Sequence, residues 1–336
     1  MKKNKVLVIT QKFGTFVKRD MTILEKEYVV KSHLYTGRKS AWSNIFAQIK
    51  LDLWLFYHIW TTHAILVWFA DYHAFLPALY SKIWKKRMLL VEGGYDTAAI
   101  PEIGYGSFIS SFRGKFSRYG MKNASLNLPV CDNIAEEVKE RAPGANIEIL
   151  YTGYDPEVFF PKGIKSNTVL TVAEGKTLQR IKIKGIDHFV KVAGMLPHYD
   201  FIVIGIDKKA VRFLGDLPSN VKILPRMSQN ELLDHYRKAK VYAQFSMREG
   251  LPNAVCEAML CECIPVGYTN GGIPVAIGEA GYLTETNTPE AGANAVRKAM
   301  EDENDLGRSA REQIIDKFPL VNRERKLLQY IKEKRR

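Results

Sequence analysis

The stretch Ser246-Met-Arg-Glu249-Gly250-Leu251-Pro252-Asn-Ala-Val-Cys-Glu257-Ala-Met-Leu260 decides the reading of this 336-residue chain. An apolar strand ends near Phe245 and a glycine-bearing loop follows. A helix then begins near Pro252, a residue favoured in a first helical turn. Such a strand-loop-helix places backbone N–H groups, here those of Gly250 and Leu251, and the positive end of a helix dipole at the carboxyl edge of a sheet. That edge suits a diphosphate. Glu257 falls in the second turn, where a carboxylate can accept hydrogen bonds from both hydroxyls of a ribose. Glu249, on the loop, can reach a sugar. The spacing alone says little, since Glu140 and Glu148 have the same separation without that context.

Working outward, short apolar runs alternate with amphipathic segments on both sides, the pattern of parallel sheets covered by helices. Towards the C-terminus the sequence predicts strands at 168–173, 200–205, 221–224, 240–245 and 263–268. Helices fit 186–196, 208–214, 229–238, 253–261, 288–301, 306–317 and 320–334. Ser228-Gln-Asn-Glu231 spells a capping box. Towards the N-terminus, strands are predicted at 5–10, 28–35, 64–69, 87–92, 125–130 and 147–151, with helical patterns at 41–58, 75–86 and 132–141. Two prolines and a glycine in Asp155-Pro-Glu-Val-Phe-Phe-Pro161-Lys-Gly163 suit a linker. The predicted organisation is α/β throughout. A domain over 1–160 and a second over 161–318 face a cleft, and a C-terminal helix, 319–336, packs back on the first.

Composition agrees with a folded protein: 46% apolar and 25% charged residues exclude a disordered chain and a disulfide-stapled scaffold. Lys plus Arg is 49 against 36 for Asp plus Glu, a balance of +13. Residues 1–150 hold 21 basic and 13 acidic side chains, or +8, and the remainder holds +5. A basic surface favours anionic partners or simply keeps the chain soluble. Three of the four cysteines, Cys256, Cys261 and Cys263, crowd together without a matching pair at zinc spacing. They and Cys131 read as buried free thiols of a reducing compartment. Lys2, Lys3 and Lys5 precede an apolar run too short for a secretory leader, which reads as a first strand. The uncharged stretch Leu53 to Ala70 carries His58, Thr61, Thr62 and His63 in its middle. It reads as a helix end, a turn and a strand rather than a membrane span. The expected location is the cytoplasm, with room for contact at the inner face of the plasma membrane.

Four stretches together resemble the retaining glycosyltransferases of family 4, which have the GT-B fold of two Rossmann-like α/β domains. They are Glu249-Gly-Leu-Pro-Asn-Ala-Val-Cys-Glu257, Cys263-Ile-Pro-Val-Gly-Tyr-Thr-Asn-Gly271-Gly272-Ile-Pro274, Lys184-Gly185-Ile-Asp187, and Tyr154-Asp-Pro-Glu-Val-Phe159-Phe-Pro161. Their order and spacing agree over residues 150–284, and the first domain matches only in outline. The resemblance implies transfer of a sugar from a UDP- or GDP-sugar with retained configuration. Lys184 maps onto the family's phosphate-binding lysine. The second basic residue, usually an Arg after a Gly, departs here: the chain reads Gly175-Lys176-Thr-Leu-Gln-Arg180, and both Lys176 and Arg180 are candidates. Gly271 and Gly272 would let backbone approach the donor, and Arg226-Met227 lie where the fold commonly holds the base. No Asp-x-Asp triplet occurs, so lysine and helix dipole would take a metal's role, and no other cofactor is implied.

The first domain would supply the acceptor side, for a glycan or a lipid-linked acceptor in the synthesis of cell-surface polysaccharide. Candidates are the loop Gln11–Thr15 with Gly14, and Glu92-Gly93-Gly94-Tyr95-Asp96, whose Asp96 would orient an acceptor or bind donor hydroxyls. His73 is the alternative where relatives place a histidine. Lys82-Ile-Trp84-Lys85-Lys86-Arg87 would touch anionic lipid or else complement a helix C-terminus; the terminal Lys332–Arg336 run favours the second reading. A GT-B protein that binds nucleotide sugar without turnover is the competing reading. An epimerase or phosphorolytic relative fits the motif order less well. A nucleic-acid binder lacks a recognisable module.

Overall fold

The computed structural model describes residues 3–37 and 40–333. Lys2 and the Lys334–Arg336 end of the basic tail therefore lie outside the described residues. The chain divides into two compact units, Met1–Thr152 with Val321–Arg336, and Gly153–Leu320.

The first unit is built on strands β1 (Lys5–Thr10), β2 (Val29–Leu34), β3 (Thr62–Trp68), β4 (Arg87–Glu92) and β5 (Leu126–Pro129). They pair in the order β2-β1-β3-β4-β5, all parallel. Helices α1 (Thr15–Glu25), α2 (Ala41–His58), α3 (Tyr72–Ile83), α4 (Ser111–Asn123) and α5 (Asp132–Arg141) connect them. Both faces are covered, so the central strands read as unbroken apolar runs. Val6 to Ile9 and Met88 to Val91 are fully buried. The uncharged stretch resolves as the end of α2, a 3-10 turn over Ile59–Thr61, and β3. No helix among the described residues is long and apolar enough to cross a membrane.

The second unit holds β6 (Ser166–Gly175), β7 (Asp200–Ile206), β8 (Val221–Leu224), β9 (Ala239–Gln244), β10 (Ile264–Tyr268) and β11 (Tyr282–Thr284). Their order is β11-β10-β9-β6-β7-β8, again all parallel. Its helices are α6 (Leu178–Ile183), α7 (Ile186–Met195), α8 (Gln229–Lys238), α9 (Asn253–Leu260), α10 (Ile273–Ile277), α11 (Pro289–Met300) and α12 (Leu306–Lys317). The capping box at Ser228 and Glu231 forms in both directions. A final helix, α13 (Leu320–Lys332), joins the first unit through Val321 and beyond. Its Arg323 makes two 2.7 Å contacts with Asp20, and both side chains are buried.

The predicted strand at 147–151 is not a strand. Glu148 and Leu150 donate to the carbonyls of Asn127 and Pro129, and Ile147 bridges Asn127. Pro129 has no N–H to return, so the ladder stops. The predicted helix at 208–214 is a 3-10 helix, Lys208–Leu214, that ends on Gly215 in a positive-φ conformation. Helix α3 starts three residues before its predicted beginning because the Asp71 carboxylate caps it. It ends before the basic cluster is complete because Lys85 takes a left-handed conformation. All four cysteines are free and buried.

Candidate functional site

Each sheet has one place where strand order reverses direction, and ligands of open parallel sheets bind outside the carboxyl ends of the strands there. In the second unit that place lies between β6 and β9. The quoted stretch begins where β9 ends, and the turn carrying Lys184 follows the short helix α6, itself just after β6.

These two segments meet through one ion pair. Lys184 Nζ donates to Glu249 Oε1 at 2.7 Å and Oε2 at 2.9 Å. The strand end holds the carboxylate in place. Ser246 Oγ donates to Glu249 Oε1 at 2.7 Å, and Gln244 Nε2 reaches the same oxygen at 3.1 Å. Gln244 Oε1 in turn accepts from the Tyr242 hydroxyl at 3.1 Å. Burial pushes the Tyr242 phenol up, so it remains a donor. Lys184 keeps 26% of its side-chain surface and Glu249 12%. The pair is thus fixed by a buried polar chain and still open to an incoming anion, a strong arrangement because its members are mutually satisfied.

Backbone geometry explains the glycines. Gly185 has φ +62°, and a Cβ there would lie 1.8 Å from the Phe245 carbonyl oxygen, so only glycine lets the Lys184 turn touch the end of β9. The amide of Met247 donates to Ile183 O across that contact. A Cβ at Gly271 or Gly272 would meet the carbonyl oxygens of Glu249 and Gly250 at 2.2 and 2.1 Å. What approaches these two glycines is therefore the Glu249-Gly250 loop itself. Gly272 N bonds Glu249 O at 3.2 Å, and Asn270 Nδ2 bonds Ser246 O at 3.0 Å, so the Gly-Gly turn shapes the loop.

Helix α9 begins after Pro252 with no side chain capping it. The amides of Gly250 and Leu251 sit in the loop just before it, and both residues are buried. Glu257 is 7% exposed, and the Tyr236 hydroxyl lies 3.4 Å from its Oε2. Burial, then the charge of Glu257, raises the Tyr236 phenol. Lys176 is exposed and Arg180 half-buried. Neither appears in the Lys184–Glu249 pair, and the structure leaves both as candidates. Arg226 is exposed and pairs with Glu174, at the end of β6, at 3.1 Å.

The first unit carries a second polar cluster, at the carboxyl ends of β1, β3 and β4, where its own strand order reverses between β1 and β3. Arg113 grips Asp71 with Nε at 2.7 Å and also with its second terminal nitrogen, and donates to the Tyr95 hydroxyl at 2.8 Å. Gln11 Nε2 donates to Asp71 at 2.7 Å and lies 3.0 Å from His73 Nδ1. Burial would raise the Asp71 carboxyl, but the hydrogen bonds and charge of Arg113 outweigh it and hold the group at about 2. His73 is fully buried, and its Nε2 faces the Trp68 carbonyl at 2.8 Å. That makes His73 a fixed member of the scaffold under Asp71.

Asp96 is also fully buried. Its oxygens accept from the amides of Ala70, Gly93 and Gly94 at 3.0, 3.1 and 2.8 Å. Direct contact with a sugar would require releasing these amides; in this geometry Asp96 pins the loop instead. Burial raises its carboxyl to about 6, against the lowering effect of those amides. Glu92 beside it is raised well above the usual range by burial and by Asp96. Sequence reasoning missed Asp71, Arg113, Gln244 and Ser246. The capping position of Asp71 before an apolar run was a readable signal. Arg113 sits on a helix whose glycines hid it. Among the described residues, no three His, Cys, Asp or Glu side chains gather as a metal-ligating group.

Residues 165–317 match the family described as glycosyl transferases group 1. D-inositol 3-phosphate glycosyltransferase of Mycolicibacterium gilvum is 28% identical over 141 residues, 38% of this chain and 32% of that relative. The chain therefore aligns with only about a third of that relative's length. Sucrose-phosphate synthase from Thermosynechococcus elongatus superposes with a TM-score of 0.78 at 14% identity, covering 97% of this chain and 98% of the other. Anabaena HepE in complex with UDP gives 0.74 at 15% identity, with the same coverage of both. The two parallel-sheet α/β units are those of the GT-B architecture. The family match lies within the second unit, and the likeness to the solved structures is one of fold over nearly the whole chain.

Proposed function

We propose that the chain moves a sugar from a nucleotide-sugar donor to an acceptor hydroxyl with retained anomeric configuration. The observation that carries this is the Lys184–Glu249 pair, held by Ser246 and Gln244 at the reversal point of the second sheet. In this reading the ribose engages Glu257 and the diphosphate lies along the amides of Gly250 and Leu251, with Lys176 or Arg180 beside it. Lys184 is already aimed before any charge develops, which is how fixed donors lower a barrier. As the bond from the anomeric carbon to the phosphate oxygen breaks, Lys184 neutralises the departing nucleoside diphosphate. The acceptor oxygen bonds to the anomeric carbon on the same face, and its proton passes to the leaving phosphate. Glu249 orients the lysine and meets the sugar. No metal is needed for these steps.

UDP is the first nucleotide to test, because a solved neighbour is in complex with it. On the acceptor side, the Asp71–Arg113–Tyr95 cluster is the part of the first unit built to hold a polar group. A hexosyl donor, a glycan or lipid-linked acceptor, a role in cell-surface polysaccharide and contact with an anionic membrane belong to the same reading. The test is a thermal-shift screen of the whole chain against UDP, GDP, ADP and CMP, followed by donor hydrolysis with the matching sugar conjugates. A ligand at about 100 times its Kd stabilises by roughly 2.7 kcal/mol. Selective stabilisation with slow sugar release is expected. Stabilisation without release would favour a binding protein, and no stabilisation by any nucleotide would refute the donor site.

A further inference from the structure

Helix α2 is apolar on both sides. Ala47, Leu51 and Leu55 point into the first unit and are buried. On the opposite side, Trp42, Ile45, Ile49, Leu53, Phe56 and Trp60 are all exposed, Trp42 by 72% and Leu53 by 65%. The first five, spaced three, four, four and three positions apart, keep to one stripe of α2, and Trp60 follows in the 3-10 turn Ile59–Thr61. Phe46 and Tyr57 widen it, Tyr57 at 79% exposure. The stripe runs the whole length of an 18-residue helix, about 27 Å. A soluble surface rarely carries so large an apolar patch without a partner.

Charge identifies the partner. The one acidic residue of α2, Asp52, is half-buried on the flank, where it is engaged by the Tyr80 hydroxyl, which donates to it at 2.9 Å. The one basic residue, Lys50, is exposed on the flank. At the far end Trp60 packs against Trp84, with ring centroids 5.7 Å apart. This brings the exposed Lys85, next to Trp84 in the chain, to the rim. Arg87 does not join it, being buried in a 2.7 Å pair with Glu333. Aromatic residues on an apolar face with lysines at its edge are the composition of a helix lying in a membrane interface.

We propose that α2 docks the first unit on an anionic lipid bilayer, its stripe lying in the plane of the interface and Lys50 and Lys85 meeting headgroup phosphates. This assigns a surface to the membrane contact, and it stands independently of the transfer reading.

The test is co-sedimentation of the whole chain with vesicles of phosphatidylcholine alone, or of phosphatidylcholine and phosphatidylglycerol in equal parts. Binding is expected to be strong only with the second. The double variant Leu53→Asp/Phe56→Asp should lose about 100-fold in partitioning, as expected for two side chains no longer buried. Because both positions are exposed, its thermal melt should match the wild type. Vesicles with brominated acyl chains should quench the wild-type tryptophan fluorescence, and Trp42→Phe/Trp60→Phe should remove most of that quenching. Equal partitioning of wild type and double variant, or absence of quenching, overturns the proposal. So does a wild-type dimer that the double variant converts to monomer with vesicle binding unchanged, which would assign the face to a second copy. None of these readouts uses a nucleotide, so a failed donor screen leaves the result standing.

Discussion

Replacing Asp20 by leucine should destabilise the first unit more than any exposed substitution. Asp20 accepts from Arg323 Nε and its second terminal nitrogen, both at 2.7 Å, and from Trp68 Nε1 at 3.0 Å. Arg323 also donates to the carbonyls of Leu150 and Tyr151, both at 2.9 Å. Side-chain exposure is 0% for Asp20 and 2% for Arg323. Removing the carboxylate leaves a guanidinium that cannot shed its proton inside the protein. Breaking a buried pair in this way costs about 3–5 kcal/mol. Arg323→Leu should cost less, because the stranded Asp20 can take up a proton. The double variant should cost less than the sum of the two, since no unpaired charge remains; what persists is the orphaned Trp68 N–H and the carbonyls of Leu150 and Tyr151 that lose their donor, at about 1–3 kcal/mol for each buried group. The exposed pairs that tie α13 to the same unit, Lys26–Glu324 and Lys332–Glu27, should change stability far less when either is broken. Urea unfolding followed by circular dichroism at neutral pH measures all of these. The change should appear in the unfolding of the first unit and leave that of Gly153–Leu320 unaltered. A loss below ~1 kcal/mol for Asp20→Leu, or single variants that simply add, would refute the reasoning.

Lys184→Ala should lower turnover by about 100-fold or more while weakening donor binding far less, because its charge counts most as the phosphate leaves. Equal losses in steady-state turnover and in calorimetric affinity would make it a ground-state binder. Glu257→Ala should weaken nucleotide affinity by about 10-fold or more, the worth of a charge-assisted hydrogen bond; an unchanged Kd in calorimetry removes it from the ribose site. Glu92 and Asp96 both hold their protons more tightly folded than unfolded. Stability should therefore fall as pH rises from the ordinary Asp value of 3.8 through about 6. Glu92→Gln should flatten that slope in thermal melts, and identical slopes would count against the pair. Asp71 works in the opposite sense: its contribution is present above 3.8 and is lost as pH falls towards about 2.

Much of the sheet architecture could be read because buried parallel strands need unbroken apolar runs. The runs at Val6–Ile9, Met88–Val91 and Cys263–Val266 left few alternatives. What escaped was structure decided by close approach rather than by pattern. Helix α4 contains Gly114 and Gly120, which weaken any helical signal. Gly120 is needed there because a Cβ would lie 2.9 Å from that of Ala74 on α3. Helix α6 has six residues and β11 three, too short for a period to show. Asp96, expected to orient an acceptor or bind donor hydroxyls, is turned in upon the amides of Gly93 and Gly94 in its own loop and of Ala70 after β3. The exposed stripe of α2 was hidden for another reason. Its helical period was plain, but apolar residues on both faces give no hint of which face is buried.

The Lys184–Glu249 pair shows how far local reading reaches. The two residues lie 65 positions apart, so no spacing rule connects them. Glu249 was a candidate because it followed a strand, and Lys184 because it resembles the family's phosphate-binding lysine. All six strands of that sheet are parallel, so their carboxyl ends share one edge, and the reversal of order brings β6 beside β9. Topology therefore turns two separate loop residues into one site. The geometry also sets what a ligand must overcome. Glu249 holds Lys184 with both oxygens, and it keeps Ser246 and Gln244 as donors if the lysine moves. A diphosphate brings more negative charge than one carboxylate, so it can draw the ammonium without stranding Glu249. A neutral sugar cannot. The arrangement thus favours a diphosphate over a free neutral sugar.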